Sequence, residues 1–286
     1  MSHSLTDAGL ARVCAVAAGM VVVMLLTMLV FLTYEAWPAL PGGGVLHLFM
    51  DEAWYPTEGK FALLPMIIAT LASAAGALLI ALPIGLASAI FQNFYAPPMI
   101  AHLMKMAVAL LAGIPSVVFG LWGLVVAVPL IARWHQPGAS LLAAIVILAM
   151  MILPTISATA AAALHSVPAA YLRGGAALGL TRTTQILSIA LPAARYSIVG
   201  GILLAAGRAL GETMAVLMVA GNVIQMPTSL FDPVRVLTAN IALEMAYASG
   251  VHRAALFATG LVLASLVLAL SGLSSRYSSR ALNAAP

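Results

Sequence analysis

Arg208 and Glu212 are the only charged residues in the stretch 200–222, which is otherwise long and apolar enough to cross a membrane. Read as one helix rising ~1.5 Å per residue, it places Arg208 roughly 20 Å from Arg195 and about as far from Asn222. A bilayer core is about 30 Å thick, so an arginine at that position cannot easily reach either surface. A charge held at such depth costs at least ~2.5–3.5 kcal/mol and is normally kept for a pathway or a partner. Four residues apart, the two side chains share a helical face and can pair. Gly207 and Gly211 flank them as Gly-x-x-x-Gly, a ridge that lets a second helix approach closely. The chemistry on offer is recognition of an anion by a guanidinium fork, with a carboxylate to hold the fork when no anion is present. The plainer reading is a buried ion pair that fixes the register of two helices. Ser116 and Thr213 are the nearest candidates for secondary hydrogen-bond donors on a pathway. The other intramembrane hydroxyls, such as Thr70, Ser73 and Thr155, suit helix-to-helix hydrogen bonds.

The elements that must position these residues are membrane spans. Of 286 residues 63% are hydrophobic and 7% charged, with a mean hydropathy of +1.11. A soluble domain carries about 25% charged residues, so the expected solvent is the lipid bilayer. Six spans are expected, at about 12–34, 62–92, 106–131, 139–164, 193–222 and 252–273. The first is too long for a cleaved leader and reads as an uncleaved span. This divides the chain into an N-terminal span and outer loop (1–60), a core (61–273) and a tail (274–286). With the N-terminus inside, Arg12, Lys105, Arg173, Arg182, Arg195, Arg276 and Arg280 face the cytoplasm, against Lys60, Arg133, Arg235 and Arg253 outside. That bias favours cytoplasmic termini.

Two outer segments are long. Residues 35–60 carry a Pro41-Gly42-Gly43-Gly44 turn, then Trp54-Tyr55-Pro56; residues 223–251 carry turn formers and a helix-like run from Ala239 to Ala248. They read either as packed connections or as a landing surface for a soluble partner. Inside, Ser166-Val167-Pro168 reads as a helix start with Ser166 as cap. Gly179 ends that helix and Thr181 caps the next. Tethered between spans and offering only Arg173 and Arg182 for phosphates, this helix–turn–helix is a poor nucleic-acid reader and a better docking knob for a cytoplasmic protein.

Gly179 followed by Ile189-Ala190-Leu191-Pro192 resembles the coupling signature of ABC-importer permeases, although Arg173-Gly174-Gly175 stands where that signature has Glu-Ala-Ala. The segments 207–216 (Gly-Arg-Ala-Leu-Gly-Glu-Thr-Met-Ala-Val), 111–123 and 237–245 are similar to the C-type permease subunits of phosphate-specific ABC importers. The resemblance covers about residues 60 to 270. It implies an all-α membrane protein of about six transmembrane helices with type I ABC-importer permease (MetI-like) architecture and a cytoplasmic coupling helix. It further implies Pro168, Arg173, Gly174, Gly175, Gly179, Thr181 and Arg182 as the ATPase-coupling surface. The implied location is a bacterial inner membrane. The implied partners are an A-type permease subunit, two copies of a cytoplasmic ATPase and a periplasmic phosphate-binding protein, with inorganic phosphate as substrate.

Other classes fit less well. No Gly-x-x-x-x-Gly-Lys-Ser/Thr phosphate cradle occurs, and the only lysines are Lys60 and Lys105, so ATP is expected to be hydrolysed elsewhere. The six histidines and Cys14 lack ligand spacing, so neither metal nor cofactor is expected. An intramembrane hydrolase needs a buried nucleophile with a histidine or carboxylate partner, and no histidine falls mid-span. A proton-coupled transporter could use Glu212 but has no need of a coupling loop. A permease for sulfate, molybdate or tungstate is the nearest rival.

Overall fold

The computed structural model describes residues 2–39, 48–49, 51 and 53–283, with side chains from Gly9 to Gly272 within those ranges. The Pro41–Gly44 turn and the side chains of the tail lie outside the described residues. Helices α1 (Ser2–Ala36), α2 (Leu64–Ile90), α3 (Pro98–Gly113), α4 (Ser116–Trp122), α5 (Val128–Ala132) and α6 (Leu141–His165) make the first part of the chain. Helices α7 (Ala169–Ala177), α8 (Arg182–Gln185), α9 (Leu191–Gly211), α10 (Met214–Val219), α11 (Leu237–Glu244) and α12 (Gly250–Asn283) make the second. Five segments are long and apolar enough to cross a membrane, or six if the bent pair Pro98–Gly113 and Ser116–Ala132 is one span.

α6 is the central helix, buried over most of its length and surrounded by α2, α3, α9 and α10. It packs on α2 because α2 presents small residues at every fourth position: Ala69, Ser73, Ala77, Ala81, Gly85 and Ala89 are all buried. In lipid no hydrophobic force draws helices together, so close backbone approach and dispersion must do it. A Cβ at Gly76 would lie 2.6 Å from Ile145 Cδ1, and one at Gly85 would lie 2.8 Å from Ile156 Cγ2. The first amides of α6, which have no partner within the helix, are satisfied from elsewhere. Ser140 Oγ accepts from Ala143 N, and the 221–236 loop supplies Asp232 O to Leu141 N and Leu230 O to Leu142 N.

Three spans contain a π turn, at Phe91–Tyr95, Gly123–Ala127 and Ile186–Ala190, each ending two residues before a proline (Pro97, Pro129, Pro192). Proline lacks an N–H, and its ring collides with the carbonyl four residues back. Before Pro129 and Pro192 widening the turn moves that carbonyl aside and keeps the span continuous, whereas before Pro97 the helix ends at an extended Ala96.

α1 stands outside this core and packs mainly along α12. There Phe31 and Phe257 stack edge to face at 5.7 Å, and Arg253 lies 3.5 Å from Glu35. A second apolar cluster at the same end joins Ala36, Trp54, Phe61 and Met66 to Leu237 and Leu256.

The expected spans need two corrections. The third is bent by 90° at Gly113–Ser116, where Pro115 leaves Ile114 extended. The fifth runs from Arg182 to Gly211, not from 193 to 222. Apolarity continues to Ala220, but the helix stops at Gly211.

Candidate functional site

The helix break defines the site. Glu212 is extended (φ −71°, ψ 130°), and a separate helix, α10, starts at Met214. Freed backbone groups inside a membrane must find partners within the protein, and here side chains supply several of them. Glu212 Oε1 accepts from Ala215 N (3.1 Å), and Thr213 Oγ1 donates to Gly211 O (3.4 Å). Thr238 Oγ1, at the start of α11, donates to Glu212 O (2.7 Å). The hydroxyls and carboxylate of this short stretch therefore stabilise the break itself.

The expected Arg208–Glu212 pair does not form, and the reason is the backbone. Four-residue spacing brings side chains together only along a continuous helix, and the chain leaves the helix at Glu212. Arg208 occupies the last turn of α9, where the negative end of the helix dipole favours a cation. Its side-chain hydrogen bond among the described residues runs from Nη1 to Thr155 Oγ1, at 3.3 Å. Thr155 fixes the depth, because α6 spans Leu141–His165. At ~1.5 Å per residue it lies roughly 21 Å from one end of α6 and about 15 Å from the other. Arg208 is therefore near mid-depth although it ends its own helix. It is exposed and borders a cavity of about 620 Å³ between α9 and α12, with Gly200, Leu204, Gly207 and Leu270 among the walls.

Among the described residues the Gly207–Gly211 ridge meets nothing: no such atom lies within 4 Å of a Cβ built at either residue. Close approach inside the chain uses other glycines. A Cβ at Gly120 would lie 2.9 Å from Ala215 Cα, and one at Gly123 would lie 2.8 Å from Val219 Cγ1. At Gly201 it would run into Thr159. The first two contacts press α4 against α10, so the broken third span packs on the broken fifth. Ser116, half-buried, opens α4 at the bend, and Thr213 sits at the other break.

At the far end of α6 lies the expected coupling segment. α7 starts after Pro168, and Ser166 does not cap it: Ser166 Oγ donates back to Ala163 O (2.8 Å) and so closes α6. Gly179 takes a left-handed φ of 76°, and Thr181 Oγ1 caps α8 by accepting from Thr184 N. Arg173 and Gly174 are exposed; Gly175 is buried, and a Cβ there would lie 2.7 Å from Ile189 Cδ1. Arg182 places its guanidinium 5.6 Å from the centre of the Tyr95 ring, linking the segment to the end of α2.

A second polar cluster, at the opposite end, was not anticipated. Glu244 is buried and accepts from Arg235 Nη1 (2.6 Å) and from Trp54 Nε1 (2.8 Å), while His252 Nε2 lies 2.8 Å away. Arg235 also donates to Asn240 Oδ1 (3.1 Å) and, through Nε, to Asn222 O (2.9 Å). Asn222 presents that carbonyl from a left-handed φ of 56°. The five side chains come from four separate segments, and helical spacing relates only Asn240 and Glu244, four apart on α11. The one available signal was Glu244 itself, an acidic residue in the apolar run after Thr238.

A multi-pass helical bundle with two broken spans packed together and an arginine at mid-depth is the architecture of a membrane permease. The family model for the binding-protein-dependent transport system inner membrane component matches residues 81–283, and the chain belongs to that family. It is 36% identical to the phosphate transport system permease protein PstC of Mesorhizobium japonicum, covering 91% of this chain and 86% of that one. It is 33% identical to the PstC of Haemophilus influenzae, covering 91% and 90%, and 40% identical to the probable ABC transporter permease protein YqgH of Bacillus subtilis, covering 73% and 70%. Among solved structures it resembles a bacterial alginate ABC transporter in complex with an alginate-bound periplasmic protein, with a TM-score of 0.63 at 18% identity over 91% of this chain and 94% of that one. The inward-facing MetNI methionine ABC transporter matches at a TM-score of 0.57 and 18% identity, over 77% and 94%. These confirm the expected all-α, MetI-like permease fold.

Proposed function

We propose that this chain is a permease subunit of an ATP-driven importer of inorganic phosphate and forms half of the translocation pathway. The observation that carries the reading is Arg208: a guanidinium at mid-depth, facing a cavity and held, among the described residues, by one 3.3 Å hydrogen bond. Such a group has donors to spare for a travelling anion and suits the paired oxygens of phosphate. The relatives named phosphate permeases support the choice of anion. Ser116 and Thr213, at the two breaks, are the secondary donors. Glu212 shapes the pathway by fixing the break after Gly211, a different role from clamping Arg208.

In this reading the open Gly207–Gly211 ridge faces an A-type permease subunit. The 165–191 loop, through Pro168, Arg173–Gly175 and Gly179–Arg182, receives the stroke of two ATPase copies that hydrolyse the ATP. A periplasmic phosphate-binding protein delivers substrate at the opposite end, both termini are cytoplasmic, and residues 1–60 and 274–286 flank the core of 61–273. The test is uptake of labelled phosphate by cells that depend on this importer. Excess unlabelled phosphate should compete and excess sulfate should not, and ATP depletion should stop uptake while collapse of the proton gradient alone should not. Competition by sulfate equal to that by phosphate overturns the substrate assignment.

A further inference from the structure

Between Glu58 and Glu212 the chain carries no Asp or Glu, yet it carries Lys60, Lys105, Arg133, Arg173, Arg182, Arg195 and Arg208. Lys105 is the lysine of the membrane core, and among the described residues it forms no ion pair. It is exposed and so open to an anionic ligand. Lys105 borders a cavity of about 380 Å³ between α3 and α6, at the end of the bundle that carries the 165–191 loop.

The cavity has a defined build. Along α3 its wall is Lys105, Val108, Ala109 and Ala112; along α6 it is Ala158, Ala161, Ala162 and His165. Both sets follow the i, i+3, i+4, i+7 pattern of one helical face. The helices run antiparallel, so each wall begins with a basic side chain and continues for two turns, ~10 Å, in small apolar residues. Gln92 and Asn93 close the end of α2 beside them. Asn93 spends both amide N–H groups on Ala89 O and Ala161 O and Gln92 spends one on Ala101 O, so Lys105 and His165 are the basic groups available to an anion. Lys105 starts one turn inside the level of Ala101, and its stem is long enough to bring the ammonium to the mouth.

We propose that this cavity binds an anionic phospholipid, with the phosphodiester on Lys105 and His165 and one acyl chain along the alanine walls. A free phosphate ion matches the mouth equally well but gains nothing from apolar walls; a lipid uses both. The bound lipid would wedge α3 against α6 at the residue where α6 passes into the coupling loop. This site is separate from the Arg208 pathway and does not depend on the transport reading.

The test is native mass spectrometry of the intact importer, purified in mild detergent and supplied with phosphatidylglycerol or phosphatidylcholine. Phosphatidylglycerol should remain bound to this subunit and phosphatidylcholine should not. Lys105→Gln should lower occupancy about fivefold, and Lys105→Arg should retain it. Ala158→Phe fills the apolar part without touching charge and should lower occupancy as strongly, so the two kinds of variant check each other should one fail to assemble. Excess inorganic phosphate should not displace the lipid. Equal binding of both lipids, unchanged occupancy in both Lys105→Gln and Ala158→Phe, displacement by inorganic phosphate, or lipid bound only when the ATPase is stripped away would each overturn the proposal.

Discussion

The chain contains an arginine and a glutamate in each of two places, and it treats them oppositely. Near the outer end, Arg235 and Glu244 pair at 2.6 Å, with Trp54, Asn240 and His252 completing the cluster. At mid-depth, Arg208 and Glu212 do not pair: one reaches Thr155 and the other caps Ala215 N. The paired cluster ties the 51–61 segment, the 221–236 loop, α11 and α12 to one another. The unsatisfied arginine is left facing a cavity. A charge within the membrane that is closed in by its partners is structural, whereas an exposed one left short of partners is available to a ligand.

The comparison breaks most directly at its two arginine sites. Arg208→Gln should leave assembly of the importer unchanged and lower phosphate uptake on the order of 100-fold, since it removes a charge-assisted contact to the anion. Uptake assays alongside co-purification of the partner subunits check this, and normal uptake would make Arg208 a structural residue like Arg235. Glu244→Ala should do the converse. It strands Arg235 in a largely buried site and should destabilise the protein by on the order of 3 kcal/mol. The readout is a lower thermal midpoint and lower yield of the complex, with the uptake per assembled complex little changed. If uptake fell while the midpoint held, the outer cluster would belong to the pathway.

The same contrast explains what was legible in the sequence. Arg208 stood out because its type and its apolar surroundings are local features, and the spans are local too. The break after Gly211 was not legible: the apolar run resumes at Met214 and continues to Ala220, and the decision rests on partners such as Thr238, 26 residues after Glu212. The partners of Glu244 were not legible either, because Trp54, 190 residues away, supplies one of its donors. For the same reason Gly207–Gly211 looked like the place of close approach, while the contacts within the chain fall at Gly120, Gly123 and Gly201. A glycine's role depends on the helix opposite, which only the fold identifies.

Smaller effects sharpen the distinction between a residue that shapes the break and one that meets the anion. Glu212→Gln keeps an oxygen to accept from Ala215 N, so assembly should hold and uptake should fall less than about threefold. Glu212→Ala removes the acceptor and should cost about 1 kcal/mol in stability. A loss of uptake in Glu212→Gln as deep as that of Arg208→Gln would restore the two as a functional pair.

The mildest perturbation concerns the loop that supports both regions, since residues 221–236 carry Arg235 and also supply Asp232 O to the start of α6. The Asp232 carboxylate accepts from Thr228 Oγ1 (2.8 Å), Ser229 N (2.7 Å) and Thr228 N (2.9 Å). These bonds, with the Thr228 hydroxyl first, hold its pKa below the usual value, and the charge of His135 adds a smaller push in the same direction. A carboxyl group with a lowered folded pKa contributes stability that is present above its ordinary value of about 3.9 and lost as pH falls through the lowered one. Local opening of the loop should therefore be constant from neutral pH down to the ordinary carboxylate range and rise only below it. Hydrogen exchange at Thr228 and Ser229 measures this directly, and Asp232→Asn should raise exchange there at neutral pH without changing uptake. Were uptake to follow that exchange, the loop would be part of the gate and the outer cluster could no longer be read as a purely structural brace.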